Sequence, residues 1–142
     1  MSMQAVRAII EGAGYGVLAT SVDGQPRVRP MAFVLLEDGR LWSSTFRQSG
    51  KVRELEGNSR VEVCFVDAKR TQVRIEGILA TTGGADAKRQ LLELNPKVRK
   101  HFPDEHDDKL VHLEVRPTRI RWKPTGFNEY HEVPLSALAS DC

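Results

Sequence analysis

The amino-acid sequence predicts a mainly β protein of the α+β class, a small antiparallel barrel of about six strands with short helices at its periphery. Three observations support this class. Two Asp-Gly pairs lie between β-rich runs, later segments alternate apolar and polar residues, and helical patterns are few and short. Only one pair of predicted strands is separated by a full helix, which argues against a parallel α/β sheet.

The first half of the chain predicts one helix followed by three strands. Apolar residues on one side of Ser2–Glu11 indicate a short amphipathic helix that ends at two glycines. The strands that follow are Tyr15–Ser21, Arg27–Leu36 and Leu41–Phe46, joined at Asp23-Gly24 and Asp38-Gly39. An Asp-Gly pair favours a tight hairpin because both central residues of the turn must tolerate positive φ. We therefore expect these strands to pair in order, as an antiparallel meander.

The second half of the chain predicts two helices and three more strands. The helices are Ser49–Glu56 and Ala85–Leu94, and the strands are Arg60–Val66, Gln72–Thr82 and a long last strand made of Leu110–Arg116 and Thr118–Trp122, bent at Pro117. No linker, repeat or low-complexity tract interrupts this series. We therefore expect residues 1–142 to form a single domain.

Composition and charge exclude several classes of function. Of the 142 residues, 40% are hydrophobic and 28% charged, as in an ordinary globular protein. There are 21 Lys and Arg residues against 19 Asp and Glu residues, which gives a net charge of +2. This excess of positive charge is too small to indicate binding to nucleic acid or to a membrane surface. Two cysteines, Cys64 and Cys142, are too few for a disulfide framework or a zinc site. With no visible secretory signal, we expect a cytoplasmic protein.

No single residue or short motif in the sequence identifies a catalytic residue or a metal site. The sequence lacks a Gly-rich dinucleotide fingerprint, a phosphate loop and a nucleophile elbow. His101 and His106 flank an acidic stretch, where a solvated polar loop is favoured over a metal site. His112 lies in the middle of a predicted strand and fits a packing or surface residue better than a base.

The junction between the third strand and the next helix carries more chemistry. The segment Thr45–Lys51 offers backbone N–H groups at a helix N-terminus, two hydroxyls and the Lys51 ammonium, all of which suit a phosphate. Arg29, on the neighbouring strand, would add a forked donor. An ordinary helix cap with a solvated Lys51 explains the same residues equally well, so both interpretations stay open here.

Five stretches of sequence occur together in an informative order. They are Gly16–Thr20 with Asp23–Pro30, Leu41–Thr45 with Ser49–Val52, Asn58–Phe65, Gln72–Gly77 and Arg119–Trp122. In this order and at these spacings they resemble the pyridoxamine 5′-phosphate oxidase-like FMN-binding split barrels, over about residues 14–124. The resemblance implies a six-stranded antiparallel split β-barrel, FMN as the cofactor, and a homodimer with the flavin site at the subunit interface.

The resemblance also implies which residues bind the cofactor. They are Arg29, Thr45, Ser49 and Lys51 at the FMN phosphate, Pro30, Met31 and Ser44 along the isoalloxazine ring, Gln72 at the polar edge of the flavin, and Trp122 from across the dimer interface. Taken alone, Gln72 also fits a surface residue at the start of a strand, and Trp122 fits a core aromatic.

The sequence departs from the true oxidases at one cofactor position and on the substrate side. Gly50 stands where they carry an arginine, so the grip on the FMN phosphate has one cation fewer. On the substrate side, Val34 stands where they carry a substrate lysine. The helix Ala85–Leu94 lacks a Tyr-x-x-x-Arg pattern, and Gly126–His131 follows Trp122 in place of an Arg-x-His pattern. The resemblance therefore retains the FMN half of the site and loses the half that binds the vitamin substrate.

These matches imply an FMN-dependent oxidoreductase with a small-molecule electron donor and acceptor. Two alternatives stay open. One is an authentic pyridoxamine or pyridoxine 5′-phosphate oxidase with a different set of substrate cations. The other is a non-catalytic flavin or haem binding protein related to stress, in which His112 or His131 would be the candidate axial ligand.

Dimerisation is also expected from apolar side chains near a strand edge. Met31, Phe33, Trp42 and Trp122 would together form an exposed patch larger than monomers normally carry. An isologous contact with a second copy would bury such a patch.

Overall fold

A computed structural model of the chain describes residues 3–46, 59–81, 84–102 and 104–135. Within these residues, eight strands form one sheet: β1 Gly16–Val22, β2 Gln25–Met31, β3 Val34–Leu35, β4 Leu41–Phe46, β5 Arg60–Val66, β6 Gln72–Thr81, β7 Leu110–Lys123 and β8 His131–Val133. The helices are α1 Met3–Ala13, α2 Ala85–Leu94 and a 3₁₀ helix over Pro96–Lys100. No helix in this part of the chain is long and apolar enough to cross a membrane.

The sheet is antiparallel and its two ends do not pair with each other. The strand order is β2-β1-β5-β6-β7-β4-β3, and β8 pairs with β7. Strand β2 lies at one end of this order and the β4–β3 pair at the other. We call the gap between β2 and β4 the split. An antiparallel sheet left open in this way confirms the predicted split-barrel class.

The number of strands and the meander are corrected by the structure. The predicted strand Arg27–Leu36 divides into β2 and β3, because β1 begins at Gly16 and offers no partner beyond its pairing with Met31. The chain then turns so that Val34 pairs with Trp42. The expected pairing of the second and third strands is therefore wrong over most of their length. The short strand β8 was not predicted, and the predicted helix Ser49–Glu56 lies outside the described residues.

The first Asp-Gly turn has the predicted geometry. Asp23 and Gly24 have φ angles of 52° and 78°, and the flanking residues Val22 and Gln25 pair directly. The second turn is longer: Gly39 has a φ of 91°, and the N–H of Leu36 donates to the carbonyl of Arg40 at 2.8 Å. Both hairpins therefore form where the sequence places them, although they join strands at opposite ends of the sheet.

The predicted bend at Pro117 is a β-bulge opposite Gly77. Glu76 pairs with Arg119 and Gly77 pairs with Pro117, so Thr118 is the extra residue in β7. The Thr118 hydroxyl donates to the carbonyl of Glu76 at 3.1 Å. A Cβ on Gly77 would lie 2.6 Å from the carbonyl oxygen of Arg116, so this close backbone approach requires glycine.

Two apolar clusters stabilise the fold. The main core lies inside the sheet and includes the buried face of α1, whose Arg7 guanidinium donates to the carbonyls of Leu35 and Leu36 at 2.9 Å each. A smaller cluster packs α2 and the 3₁₀ helix against the start of β7, and its members are Leu92, Val98, Phe102 and Leu110. The first half of β7 is therefore buried on both faces.

We expect Gly77→Ala to lower the free energy of unfolding by about 1–3 kcal/mol, because the added methyl group meets backbone rather than a movable side chain. Gly84→Ala is the matched control, since nothing lies within 4 Å of a Cβ at that position. Urea denaturation of the two variants measures the difference. Equal stability of the two variants would contradict the close approach at the bulge.

Candidate cofactor-binding cleft

A cleft of about 320 Å³ lies in the split, between the end of β2, the middle of β4 and the 3₁₀ helix. Its walls are apolar with several polar groups, as is typical of small-molecule sites. The lining residues are Tyr15, Pro30, Met31, Ala32, Ser43, Ser44, Thr45, Asn95, Val98, His101 and Phe102.

Strand edges form two walls of the cleft. In the described residues β2 pairs only with β1, and β4 beyond Trp42 pairs only with β7. The opposite edges of these strands therefore turn backbone groups toward the split. One polar contact bridges it: the Ser43 hydroxyl donates to the carbonyl of Ala32 at 2.6 Å. Such edges can hydrogen-bond a flat ligand with a polar rim.

Four of the predicted cofactor-binding residues line this cleft: Pro30, Met31, Ser44 and Thr45. Arg29 precedes them on β2 but does not line the cleft. Its Nη1 donates to the Thr20 hydroxyl at 2.9 Å and to the carbonyl of Leu18 at 3.4 Å. The other two residues predicted at the phosphate, Ser49 and Lys51, lie outside the described residues.

The remaining two predicted residues, Gln72 and Trp122, do not line the cleft. Gln72 pairs with Lys123 at the end of β7, whereas Thr45 pairs with Val111 near its start. At roughly 3.3 Å per residue, the path along β7 between these two pairs is about 40 Å. Across the sheet, Met31 and Trp122 lie on one row of paired residues, four strand intervals apart, or about 19 Å along the sheet surface.

Trp122 packs on the main core instead. Its indole is partly buried and lies against the ring of His131, with centroids 4.9 Å apart and planes tilted by 31°. The buried indole Nε1 has no hydrogen-bond acceptor among the residues described. A cofactor role for Trp122 and for Gln72 stays a prediction, and one chain by itself does not bring them to the cleft.

The sequence reasoning missed the wall opposite the strands. Asn95, Val98, His101 and Phe102 reach the cleft from the end of α2 and the 3₁₀ helix, and Tyr15 reaches it from the start of β1. Asn95-Pro96 signalled only the end of a helix, and nothing in the local pattern indicates that the following turn covers the split.

The profile of the family described as pyridoxamine 5′-phosphate oxidase matches residues 2–122. The chain belongs to this family. The family membership predicted from the five stretches is thereby confirmed. A comparison with curated proteins gives no match.

Solved structures with this fold come from several bacteria. General Stress Protein 26 from Bacillus anthracis str. Sterne is 24% identical, with a TM-score of 0.74 over 92% of this chain and 97% of that chain. A pyridoxamine 5′-phosphate oxidase-related, FMN binding protein from Nostoc punctiforme PCC 73102 is 19% identical, with a TM-score of 0.71 over 92% and 96%. A heme binding protein from Mycobacterium smegmatis is 19% identical, with a TM-score of 0.76 over 94% and 58%. At these identities they show that the fold is shared.

The expected exposed patch of four apolar residues is wrong. Trp42 and Met31 are only 7% and 8% exposed, and Phe33 and Trp122 pack against the main core. Trp42 is drawn inward because its Nε1 donates to Glu114 Oε1 at 3.0 Å. The folded sheet thus covers side chains that a strand edge alone would expose.

A buried polar cluster lies behind β4, in contact with the strand that forms the cleft wall. Glu114, 5% exposed, accepts hydrogen bonds from Arg40 Nη1 at 2.7 Å and from Trp42. His112 stands edge-on to the Trp42 ring at 4.5 Å and pairs across the strands with Ser44. Burial lowers the pKa of His112, the Arg40 and Lys88 charges lower that pKa further, and the Glu114 carboxylate opposes them. His112 is therefore neutral near pH 7.

We expect the free energy of unfolding to fall as the pH drops below about 6.5, because the unfolded chain then protonates His112 more readily than the folded one does. In His112→Gln the decline between pH 7.5 and 5.5 should be shallower than in the wild type. Denaturation at several pH values measures the slope. His106→Gln is the control, because His106 is exposed in a loop and its replacement should leave the slope unchanged. A wild-type slope in His112→Gln would count against the buried neutral histidine.

Proposed function

We propose that the chain is an FMN-dependent oxidoreductase that holds its cofactor in the cleft of the split. The observation that carries this proposal is the convergence of Pro30, Met31, Ser44 and Thr45 on one cleft. They come from two strands that do not pair, so their meeting is a property of the fold and not of local sequence. A cytoplasmic location belongs to the same proposal.

The chemistry of the cleft fits a flavin. Met31, Val98 and Phe102 offer apolar surface to a flat aromatic ring. The Ser44 hydroxyl, and the edges of β2 and β4 that pair with no other strand in the described residues, offer partners to a polar rim. FMN supplies hydride or electron chemistry when bound. The residues of the chain bind it, orient it and exclude water, and we assign no side chain as an acid or base.

Oxidation of pyridoxamine 5′-phosphate, the reaction for which the family is named, is a less favoured alternative for this chain. Pyridoxamine 5′-phosphate carries a dianionic phosphate that needs cationic partners when it leaves water. The described residues that line the cleft include no Lys or Arg, and Val34 occupies the position expected for a substrate lysine. We therefore propose a different small-molecule donor and acceptor.

One observation favours a second candidate, haem binding. His101 lines the cleft, and an imidazole in a cleft is a possible axial ligand for haem iron. The two histidines considered from the sequence are less suitable, because His112 is fully buried and His131 stacks on Trp122. The Mycobacterium smegmatis neighbour is a heme binding protein with the same fold. The absorption spectrum of the purified protein distinguishes the two cofactors.

We further propose that the working form is a homodimer in which the partner subunit completes the site. Gln72 and Trp122 do not line the cleft of their own chain, and under this proposal a second copy brings them to the cofactor. Val17, Val28 and Val66, on the neighbouring strands β1, β2 and β5, are 41%, 69% and 45% exposed. These residues give the sheet an apolar outer face that an isologous contact would cover.

We expect FMN to bind more tightly than riboflavin, because the contacts proposed for Arg29, Ser49 and Lys51 are with the phosphate, which riboflavin lacks. Lys51→Ala should weaken FMN binding by about 1.5–3 kcal/mol, roughly 10–150-fold, and leave riboflavin affinity unchanged. Quenching of flavin fluorescence on titration measures both affinities. Arg27→Ala, an exposed position on the same strand as Arg29, is the control. Equal affinities of the wild type for FMN and riboflavin would exclude the phosphate assignment.

A mixing experiment tests the shared site. One variant carries Arg29→Ala with Lys51→Ala, and the other carries Gln72→Ala with Trp122→Ala. If each site takes the first pair from one subunit and the second pair from its partner, random heterodimers contain one intact site. Co-refolding equal amounts should then restore about a quarter of wild-type FMN sites. No restored site, or a monomer in sedimentation with FMN bound, would contradict the proposal.

A further inference from the structure

The segment that follows β7 folds back onto both residues that lie away from the cleft. The Tyr130 hydroxyl donates to Gln72 Oε1 at 2.9 Å, and the ring of the next residue, His131, stacks on Trp122 at 4.9 Å. Two consecutive residues thus contact the two side chains that are predicted to complete the cofactor site. In the sequence, this segment stands where the true oxidases carry a pattern that contacts substrate.

The ring of Tyr130 is held by three cations. The Arg74 and Arg121 guanidinium carbons lie 4.8 and 5.1 Å from the ring centroid, and Lys123 Nζ lies 5.4 Å from it. Glu62 holds both arginines at 3.8 Å. The phenol is therefore confined by contacts that do not involve its hydroxyl.

This arrangement selects one orientation of the Gln72 amide. A phenol hydroxyl can donate to the amide oxygen or accept from the amide N–H. The three cations around the ring favour the amide oxygen on this side, because it is the negative end of the amide dipole. With Oε1 facing Tyr130, the two N–H bonds of Gln72 are the groups left to face a ligand. Gln72 then acts as a hydrogen-bond donor.

We infer that Tyr130 is a positioning residue that sets Gln72 to donate its amide N–H to an acceptor on the polar edge of the flavin in the partner subunit's cleft. The His131 ring supports the Trp122 indole by contact alone, with ring centroids 4.9 Å apart. This inference rests on the proposed function, because it assigns Gln72 to a bound FMN. It gives the segment Gly126–His131 a role in holding the cofactor site in place of a contact with substrate.

The first test needs no cofactor. Tyr130→Phe removes the hydroxyl and keeps the ring among its cations. In nitrogen-15 NMR spectra of the apoprotein, the side-chain amide signals of Gln72 are assigned by their loss in Gln72→Ala. We expect these signals to shift in Tyr130→Phe and to stay unchanged in Phe127→Ala, a fully exposed control in the same segment. Unshifted signals in Tyr130→Phe would overturn the inference.

The second test measures the cofactor. Tyr130→Phe and Gln72→Ala should each weaken FMN binding about 3–10-fold and shift the midpoint potential of the bound flavin in the same direction. The double variant should lose no more FMN affinity than Gln72→Ala alone, because the two substitutions act on the same interaction between Gln72 and the flavin. Wild-type affinity and potential in Tyr130→Phe, or fully additive losses, would overturn the positioning role. A wild-type protein that binds no FMN would instead refute the proposed function, while the NMR result still decides the orientation of Gln72.

Discussion

The approach of β2 and β4 without pairing is the constraint on which the cleft depends. If the two strands formed a ladder, their facing backbone groups would be consumed and the gap between them would close. The chain prevents this by breaking the strand after Met31, where β1 no longer offers a partner. Packing is close where β1 begins, because a Cβ on Gly16 would lie 2.6 Å from the Phe65 ring. Among the described residues, the edge of β2 that faces away from β1 is left without a strand partner.

A site divided between two subunits ties ligand binding to association. Under the proposed arrangement, a cofactor that contacts both copies binds the dimer and not the separated chains. By mass action it then stabilises the dimer in proportion to the logarithm of its free concentration. The contacts that hold Tyr130 matter in this context, because they arrange the contributed side chains within each chain before the subunits meet. Such preorganisation lowers the conformational entropy that binding must overcome.

The sequence predicts the local features of this fold well and its long-range features less well. The bounds of α2, β4 and β5, the Asp23-Gly24 hairpin and the bend at Pro117 all follow from short-range rules of turns, capping and alternation. The break within Arg27–Leu36 depends on where a different strand begins, so no local pattern indicates it. Local patterns also do not indicate that the 3₁₀ helix forms a wall of the cleft. Nor do they indicate the contact between Tyr130 and Gln72, because these two residues are 58 positions apart in the sequence.

The pairing of β4 with β7 also bears on the order in which the molecule assembles. Among the described residues, β4 pairs with β3 over two residues and otherwise with β7, and the ladder with β7 joins residues such as Leu41 and Val115 that are far apart in the sequence. Closing so long a loop is slow, and its entropic cost is offset best when β7 is already packed against the two apolar clusters. We therefore expect the wall formed by β4 to form late in folding. The cofactor would meet a chain whose remaining sheet is already formed.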